Sequence, residues 1–314
     1  MKALTIFTAP KPFTNSHIAM IQRNAIRSWL ALGDAVEVFL VGDEEGIAEA
    51  AAELGTRFIG QVKRNDSGTP LLSSIFGEVR ERRQSSLLAY VNADILLLPG
   101  FLPSALSIAE QCRRFLVVGQ RWDLDVQAPL DFSPGWDRQL QTWIRESGKL
   151  HKPAGSDYFI YPDSCFETLP DFAVGRAGWD NWMIYEARRQ GWPVINATGE
   201  IEIIHQQHDY SHLPGGVRHY RVPESAVNLR LAGGARTIFR LPDADYRVVD
   251  GKVRRAATDW QKFWREVEIF PLIRLRSYRL GQLFFALFHP LKAYAELRSW
   301  LRKKTADNRF NEDQ

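Results

Sequence analysis

The first part of the chain alternates between short apolar runs and longer amphipathic stretches, and this alternation restricts the fold more than any other feature. The apolar runs at residues 4–7, 36–41 and 87–96 have the length and composition of buried strands. Between the first two runs, apolar side chains recur at helical spacing until Gly33 ends the pattern. Strands and helices that alternate through short connections are typical of parallel βαβ units. The sequence therefore predicts an α/β fold with a mostly parallel central sheet flanked by helices.

The same patterns predict further elements as far as residue 205. The predicted strands lie at 57–59, 115–118, 155–162, 194–197 and 201–205, and the predicted helices at 46–54, 71–83, 102–112 and 178–190. Residues 124–150 have no clear period, so we expect them to be irregular. Residues 206–235 are rich in His, Gly and Pro and predict a long loop.

Composition excludes several classes of protein. The net charge of the 314 residues is only +3, and no basic block is interleaved with aromatic residues, so we expect no nucleic-acid partner. Cys112 and Cys165 have neither metal nor redox spacing, which favours a reducing compartment. No apolar run approaches the roughly 18 residues of a transmembrane helix. These features predict a cytoplasmic protein, and they leave its oligomeric state open.

The run at 87–96 contains Asn92 and Asp94 where the predicted strand ends. Two residues apart in an extended chain, these side chains would leave the strand on the same face. Ligands of open α/β sheets bind beyond the carboxyl ends of the strands, where a carboxylate suits a divalent cation and the phosphates it carries. The alternative is that Asp94 merely ends the strand or caps a helix. The chain has neither the Gly-x-Gly-x-x-Gly fingerprint nor a Gly-Lys-Ser/Thr loop, so a bound nucleotide would need another anchor, and a metal is the obvious one.

Acidic residues follow several predicted strands or begin a helix, and a histidine ends a later strand. They are Asp43, Asp94, Asp157, Asp180 and His205. In their order and surroundings, residues 1–215 resemble a GT-A glycosyltransferase, a member of the nucleotide-diphospho-sugar transferases. The resemblance implies a GT-A-like (Rossmann-like) fold and a nucleoside-diphosphate sugar as donor.

The family's Asp-x-Asp motif stands here as Asn92-Ala93-Asp94, with Asn in place of the first acid. The resemblance implies that Asp94 binds Mn²⁺ or Mg²⁺ and that His205 completes the metal shell. Oxygen ligands with one imidazole suit these ions. The donor would contact residues at the ends of the first, second and fourth strands and in the loop at 63–70: Thr8, Ala9, Pro10, Asp43, Asn65, Thr69, Asn92, Ala93 and Asp94.

The resemblance also implies a catalytic base, Asp180, in the segment Trp179-Asp180-Asn181-Trp182. At a helix N-terminus its pKa should be lowered by the helix dipole. Asp157 is the rival base or a ligand of the acceptor, and Trp122 and Trp179 are candidates to contact the acceptor. Each residue has an ordinary alternative: Asp180 as a helix cap, Asp43 as a turn residue, the tryptophans as core, and His205 as a structural histidine or a zinc ligand with His208 and His212.

Beyond residue 269 the chain becomes apolar and basic, which predicts amphipathic helices broken near Pro290. Such helices either lie on an anionic membrane surface or pack as a hairpin on protein. We therefore predict a catalytic domain at 1–235, a connecting segment at 236–268, a basic helical extension at 269–305 and a disordered tail at 306–314.

The sequence as a whole predicts a metal-dependent glycosyltransferase that transfers a sugar to a hydroxyl of a glycan or lipid-linked glycan. It would be cytoplasmic, either free or peripheral on the inner face of the membrane. Two alternatives remain: a catalytically silent protein that binds a nucleotide sugar or a lipid, and a nucleotidyltransferase. The second lacks the Gly-rich triphosphate loop after the first strand.

Overall fold

A computed structural model describes residues 2–208, 222–299 and 301 of the chain. The chain divides into two compact units, residues 1–256 and 257–314. The predicted tail at 306–314 and His212 lie outside the described residues.

The first unit is built on a nine-stranded sheet. Its strands are β1 (Leu4–Thr8), β2 (Val36–Val41), β3 (Arg57–Ile59), β4 (Leu87–Val91), β6 (Leu116–Val118), β9 (Tyr158–Pro162), β10 (Val194–Asn196), β12 (Tyr246–Val249) and β13 (Lys252–Arg255). Their order is β13-β12-β10-β6-β9-β4-β1-β2-β3. Only β9 and the edge strand β13 run antiparallel to their neighbours. The predicted α/β fold with a mostly parallel central sheet is therefore confirmed.

A second, four-stranded sheet has no counterpart in the sequence prediction. It consists of β5 (Ile95–Leu97), β11 (Ile203–Gln206), β7 (Trp122–Leu124) and β8 (Lys149–Leu150), in that order. Only residues 92–94 separate the end of β4 from the start of β5, so the chain passes directly from the large sheet into the small one.

Several α-helices lie in the described parts of the chain, the last two of them in the second unit. They are α1 (Ser16–Leu30), α2 (Ile47–Leu54), α3 (Leu72–Arg82), α4 (Phe101–Gln111), α5 (Trp136–Ser147), α6 (Trp179–Gln190), α7 (Pro223–Leu231), α8 (Trp260–Ile273) and α9 (Tyr278–Phe288). Asn15 caps α1, since its side chain accepts a hydrogen bond from the backbone N–H of Ile18 at 3.0 Å. The Nε1–H of Trp29 in α1 donates to the carbonyl of Ile95 at 2.8 Å, which fixes α1 to the start of β5.

Three segments differ from their predictions. Residues 124–150 contain α5, whose apolar face packs in a small core of its own with Leu140 and Ile144 buried. The expected loop at 206–235 contains α7, with Pro223 at its first turn. The segment 236–268, expected to be a connection, supplies β12 and β13 to the edge of the large sheet. Each element depends on contacts with distant parts of the chain, which local patterns do not reveal.

The second unit begins with the helical pair α8 and α9, and residues 290–299 are also helical. The predicted helical extension is therefore present, although α8 starts nine residues before the predicted boundary at 269. None of the described helices has the length and apolar character needed to cross a bilayer.

Candidate functional site

The chain turns sharply between the two sheets, and this turn separates the two polar residues of the predicted motif. The backbone N–H of Ile95 donates to the carbonyl of Asn92 at 3.1 Å, which closes the turn. The Asn92 amide donates to Asp157 Oδ1 at 2.9 Å, whereas Asp94 faces two histidines. The prediction that the chain is extended through Asn92 and Asp94 is therefore wrong, because the chain turns there and residue 95 already belongs to the second sheet.

The register of the second sheet places His205 in the centre of the site. His205 in β11 is aligned with Ile95 of β5 on one side and with Asp123 of β7 on the other. Gln206, which is fully buried, donates its backbone N–H to the carbonyl of Asp94 at 3.1 Å. Asp94, Asp123 and His205 are thus held by main-chain hydrogen bonds of one sheet.

The side chains of Asp94, His205 and His208 form a candidate metal centre. One ligand atom each from Asp94, His205 and His208 can be chosen so that all lie within 4.8 Å of one another. Asp94 Oδ2 is 3.1 Å from His208 Nε2 and 3.7 Å from His205 Nε2. The other oxygen, Oδ1, is buried and has no hydrogen-bond partner among the residues that the structure describes. Because a buried carboxylate oxygen is costly to leave unpaired, it indicates a missing ligand, and a cation satisfies that need.

Asp123 orients the imidazole of His205. Its Oδ1 is 3.1 Å from His205 Nδ1, and its Oδ2 is 2.8 Å from His151 Nδ1. With Nδ1 held by a carboxylate, the Nε2 lone pair of His205 is directed toward Asp94. Metal-binding histidines are commonly oriented by such a carboxylate, so the arrangement fits a metal site.

Electrostatics keep the carboxylates of this centre ionised. Burial by itself would raise the pKa of Asp94, but the hydrogen bond from His208 and the electrostatic interactions with His205 and Lys11 hold it well below its usual range. Burial would also raise the pKa of Asp123, but the hydrogen bonds from His205 and His151 outweigh this effect and hold that pKa below its usual range. Both groups can therefore serve a cation without first losing a proton.

Asp157 and Asp180 form an acidic pair beside the metal centre. Arg121 Nη1 bonds both oxygens of Asp157 at 2.8 and 2.9 Å, while its Nε donates to Asp123 at 3.0 Å. Arg121 thus links the metal centre to the acidic pair. Gly155 packs so closely against the pair that a Cβ at this position would lie 2.5 Å from Asp180 Oδ2.

The pKa of Asp180 is raised to about 6, so the expected lowering by the helix dipole is wrong. Burial is the main cause of this rise, and the negative charge of Asp157 adds to it. The hydrogen bonds from the backbone of Asn181 and Gly178 act in the opposite direction and are outweighed. Asp180 is not the cap of α6 either, because Gly178 holds that position with a left-handed φ of 109°. A carboxyl group with this pKa is ionised at neutral pH and is still basic enough to accept a proton.

A cleft of about 670 Å³ opens beside these groups. Residues from the start of α1 form one wall, and residues of β7 and the end of β11 form the other. The lining side chains are Asn15, His17, Ile18, Arg121, Asp123, Asp125, Gln127, His205, Gln207 and His208. This volume is in the range of small-molecule sites.

The residues predicted to bind the donor occupy several places. Thr8 ends β1, and its hydroxyl is buried without a hydrogen-bond partner in the structure. Ala9 and Pro10 follow it in the loop that carries Lys11. Asp43 lies beyond β2, with 63% of its side chain exposed, in an ion pair with Arg64. Ala93 lies in the turn before Asp94.

The loop at 63–70 is organised by its own polar side chains. Asn65 Oδ1 accepts from the backbone N–H groups of Ser67 at 3.0 Å and Thr69 at 2.9 Å, and its amide donates to Glu224 of α7 at 2.7 Å. Glu224 also accepts from Arg176 at 2.6 Å. Turn chemistry and these contacts account for Asn65 and Thr69 without a ligand.

The two tryptophans predicted to contact the acceptor are both occupied by packing. Trp179 is 6% exposed and packs edge-on against Tyr90, with ring centroids 5.2 Å apart. A buried ring offers no face to a sugar, so we leave Trp179 out of the candidate acceptor site. Trp122 is partly buried against the small core around α5.

The sequence analysis missed Asp123, Arg121 and Lys11 and named His208 only in the alternative of a zinc site with His205 and His212. Asp123 and Arg121 come after the predicted strand at 115–118, and the alignment of Asp123 with His205 depends on strand pairing over about 80 residues. The nearest signal was the pair of histidines at the end of a predicted strand. Lys11 Nζ lies 3.4 Å from His208 Nε2 and adds positive charge to the centre.

No protein-family model and no curated protein matches the chain. Solved structures show similarity at low identity. Glucosyl-3-phosphoglycerate synthase from Mycobacterium tuberculosis is 15% identical with a TM-score of 0.47, over 74% of this chain and 82% of that one. S. aureus TarS 1-349 in complex with UDP-GlcNAc is 10% identical with a TM-score of 0.44, and this chain spans 65% of its length.

The mannosyltransferase PcManGT from Pyrobaculum calidifontis, in complex with GDP-Man and Mn²⁺, is 12% identical. Its TM-score is 0.41, over 66% of this chain and 58% of that one. At these identities and TM-scores the similarities carry no argument about function, and the chemistry has to come from this chain's own side chains.

Proposed function

We propose that the protein is a metal-dependent glycosyltransferase that transfers a sugar from a nucleoside-diphosphate sugar to a hydroxyl of a glycan or a lipid-linked glycan. The observation that carries the proposal is the centre of Asp94, His205 and His208, in which a buried carboxylate oxygen has no partner. Arg121 connects this centre to Asp157, whose neighbour Asp180 has a pKa of about 6 that suits proton transfer. A cation site next to a base is what transfer from a diphosphate leaving group requires.

The ligands favour a particular cation. The sequence suggested one imidazole, but the structure brings two imidazoles and one carboxylate together. Imidazole suits transition metals better than Mg²⁺, so the second histidine shifts our preference toward Mn²⁺. When bound by these residues, the ion would supply Lewis-acid stabilisation of the negative charge on the departing diphosphate.

The remaining chemistry belongs to the protein's own groups. In an inverting transfer, Asp180 accepts the proton of the acceptor hydroxyl as its oxygen bonds to the anomeric carbon and the nucleoside diphosphate leaves. Burial raises the pKa of Asp180, and the charge of Asp157, which Arg121 and Asn92 hold in place, adds to this effect. A retaining transfer would not need this base. Lys11 brings a positive charge close to Asp94, where it suits a donor phosphate.

The first test is a panel of nucleoside-diphosphate sugars assayed for release of the diphosphate. The purified chain is assayed with Mn²⁺, Mg²⁺ or Zn²⁺, with EDTA, and as the variants Asp94→Ala and Asp34→Ala. Asp34 is an exposed carboxylate remote in sequence from the centre and serves as the matched control. We expect release from one donor that EDTA and Asp94→Ala abolish and that Asp34→Ala leaves unchanged.

The possible results separate the alternatives. No release from any donor, with calorimetry also showing no nucleotide binding, would overturn the proposal. Tight donor binding without release in the presence of acceptor extracts would instead indicate a catalytically silent binding protein. Release that is unaffected by EDTA would refute the metal requirement alone. Binding of Mn²⁺ itself, followed by electron paramagnetic resonance in Asp94→Ala and His208→Ala, tests the centre without any donor.

A further inference from the structure

The second unit carries most of the exposed large apolar side chains of the described residues. Among the described residues, thirteen of the seventeen large apolar side chains with high exposure lie between residues 260 and 301. They are Trp260, Phe263, Trp264, Phe270, Leu275, Tyr278, Leu280, Leu283, Leu287, Leu291, Tyr294, Leu297 and Leu301. We call this set the C-terminal apolar face. Contiguous apolar surface of this kind marks an interaction site.

The pairing of α8 with α9 leaves one side of α9 uncovered. Gly281 meets Leu272 so closely that a Cβ on Gly281 would lie 2.5 Å from the leucine side chain. The opposite side of α9 presents Leu280, Leu283 and Leu287, with 40%, 62% and 73% of their surface exposed. A spacing of three and four residues places these leucines in one stripe along the helix.

Aromatic side chains with polar atoms border the apolar stripe. Trp260 is 72% exposed and packs edge-on against Trp264, with ring centroids 5.3 Å apart. Tyr278 and Tyr294 are exposed on the following helices. Tryptophan and tyrosine are the residues that concentrate at the boundary between lipid and water, because their rings are apolar and their N–H and O–H groups remain hydrated.

From residue 274 onward the charges beside the C-terminal apolar face are nearly all positive, whereas α8 carries Lys262 and Arg265 against Glu266 and Glu268. Between residues 274 and 299 the exposed basic residues are Arg274, Arg276, Arg279, Lys292 and Arg298, and Glu296 is the single acid. Anionic headgroups would be attracted by this charge, and each basic residue near an anionic surface contributes roughly 1 kcal/mol in general. A second copy of the chain would bring the same positive groups face to face, which opposes a symmetric dimer through this surface.

We propose that the C-terminal apolar face binds the surface of a bilayer containing anionic lipids. None of the described helices can span a bilayer, so the helices would lie in the plane of the interface with the leucine stripe inserted among the acyl chains. The proposal does not depend on transferase activity. It requires only an apolar stripe, aromatic borders and basic flanks, and all three belong to this unit.

Co-sedimentation of the full-length chain with vesicles tests the proposal directly. Vesicles of phosphatidylcholine are compared with vesicles that also contain phosphatidylglycerol, at low and high salt. The test variant is Leu283→Glu with Leu287→Glu. The matched control is Val227→Glu with Leu231→Glu, which changes two apolar side chains of α7, each 41% exposed, at the same spacing of four residues.

We expect binding to the anionic vesicles that salt weakens, and about a tenfold or larger loss of affinity in the α9 variant because two charges enter the apolar stripe. The α7 variant should bind like the unaltered chain. Replacing Arg274 and Arg276 with Gln should weaken binding roughly fivefold per charge removed. Circular dichroism of each variant confirms that the helices remain folded.

Three results would overturn the proposal. The unaltered chain stays in the supernatant with phosphatidylglycerol vesicles; the α9 and α7 variants bind equally well; or light scattering shows a dimer that the α9 variant dissociates, with no vesicle binding. The last result would assign the C-terminal apolar face to a second copy of the chain.

Discussion

At the scale of single residues, the protonation of Asp180 decides when the proposed base can act. Burial and the charge of Asp157 raise the pKa of Asp180 to about 6, and a base must be deprotonated to accept a proton. We therefore expect the rate of transfer to fall as pH drops below about 6 and to be level above neutrality. The measurement is the pH profile of kcat/KM with the identified donor and acceptor.

Two variants check whether Asp180 is the group that causes the fall in rate at low pH, the acidic limb of the profile. Asp180→Asn should lower kcat by about 100-fold or more, because general-base catalysis typically contributes that much. Asp157→Asn removes the neighbouring negative charge and leaves Arg121 nearby, so the acidic limb should move to lower pH. An acidic limb that stays in place in both variants would show that another group titrates, and a full rate in Asp180→Asn would favour a retaining transfer.

At the scale of elements, the register between β7 and β11 holds the candidate metal centre together. This register sets Asp123 beside His205. The Asp123 carboxylate therefore holds Nδ1 of the imidazole, the nitrogen that does not face Asp94. Asp123→Asn keeps the shape of the side chain but removes its charge. We expect the affinity for Mn²⁺ to fall by about 10- to 100-fold, as for other groups that orient a metal ligand.

Titration with Mn²⁺ followed by electron paramagnetic resonance measures this affinity in the absence of donor. Asp131→Asn is the matched control, because Asp131 is exposed and hydrogen-bonds only locally to Ser133. Equal affinity in Asp123→Asn and the control would mean that β7 does not position the centre.

At the scale of the whole molecule, the large sheet extends to residue 255 rather than ending with the predicted domain at 235. β12 pairs with β10 through Ile195 and Tyr246, and β13 forms the edge. A chain ending at residue 235 would leave the edge of β10 unpaired and part of the core uncovered. We expect its Tm to lie on the order of 10 °C or more below that of a chain ending at residue 256.

Thermal unfolding followed by circular dichroism compares the two truncated chains with the full-length protein. A chain ending at 256 should unfold in one cooperative transition. Equal stability of the two truncations would place the boundary of the first unit at 235.

Much of the architecture could be read from local patterns. The period of apolar residues located β1, β2, β4 and their intervening helices, because burial in a parallel sheet demands a short apolar run and a helix demands one apolar side. The acids at the ends of these elements followed from the same reasoning, so Asp94, Asp157 and Asp180 were identified as candidates. Strands of two or three residues, such as β7 and β8, carry too few side chains to show a period.

The sequence by itself determined the α/β fold, the chemical types of the site residues and the basic, apolar character of the C-terminus. Only the tertiary structure decided which residues meet: Asp94 with His205 and His208, and Asp123 behind His205. It also decided that the pKa of Asp180 rises rather than falls. The same physical reason explains which residues meet and why the pKa of Asp180 rises. Strand pairing over long separations and burial in low dielectric are properties of the folded surroundings, which a residue's neighbours in sequence do not specify.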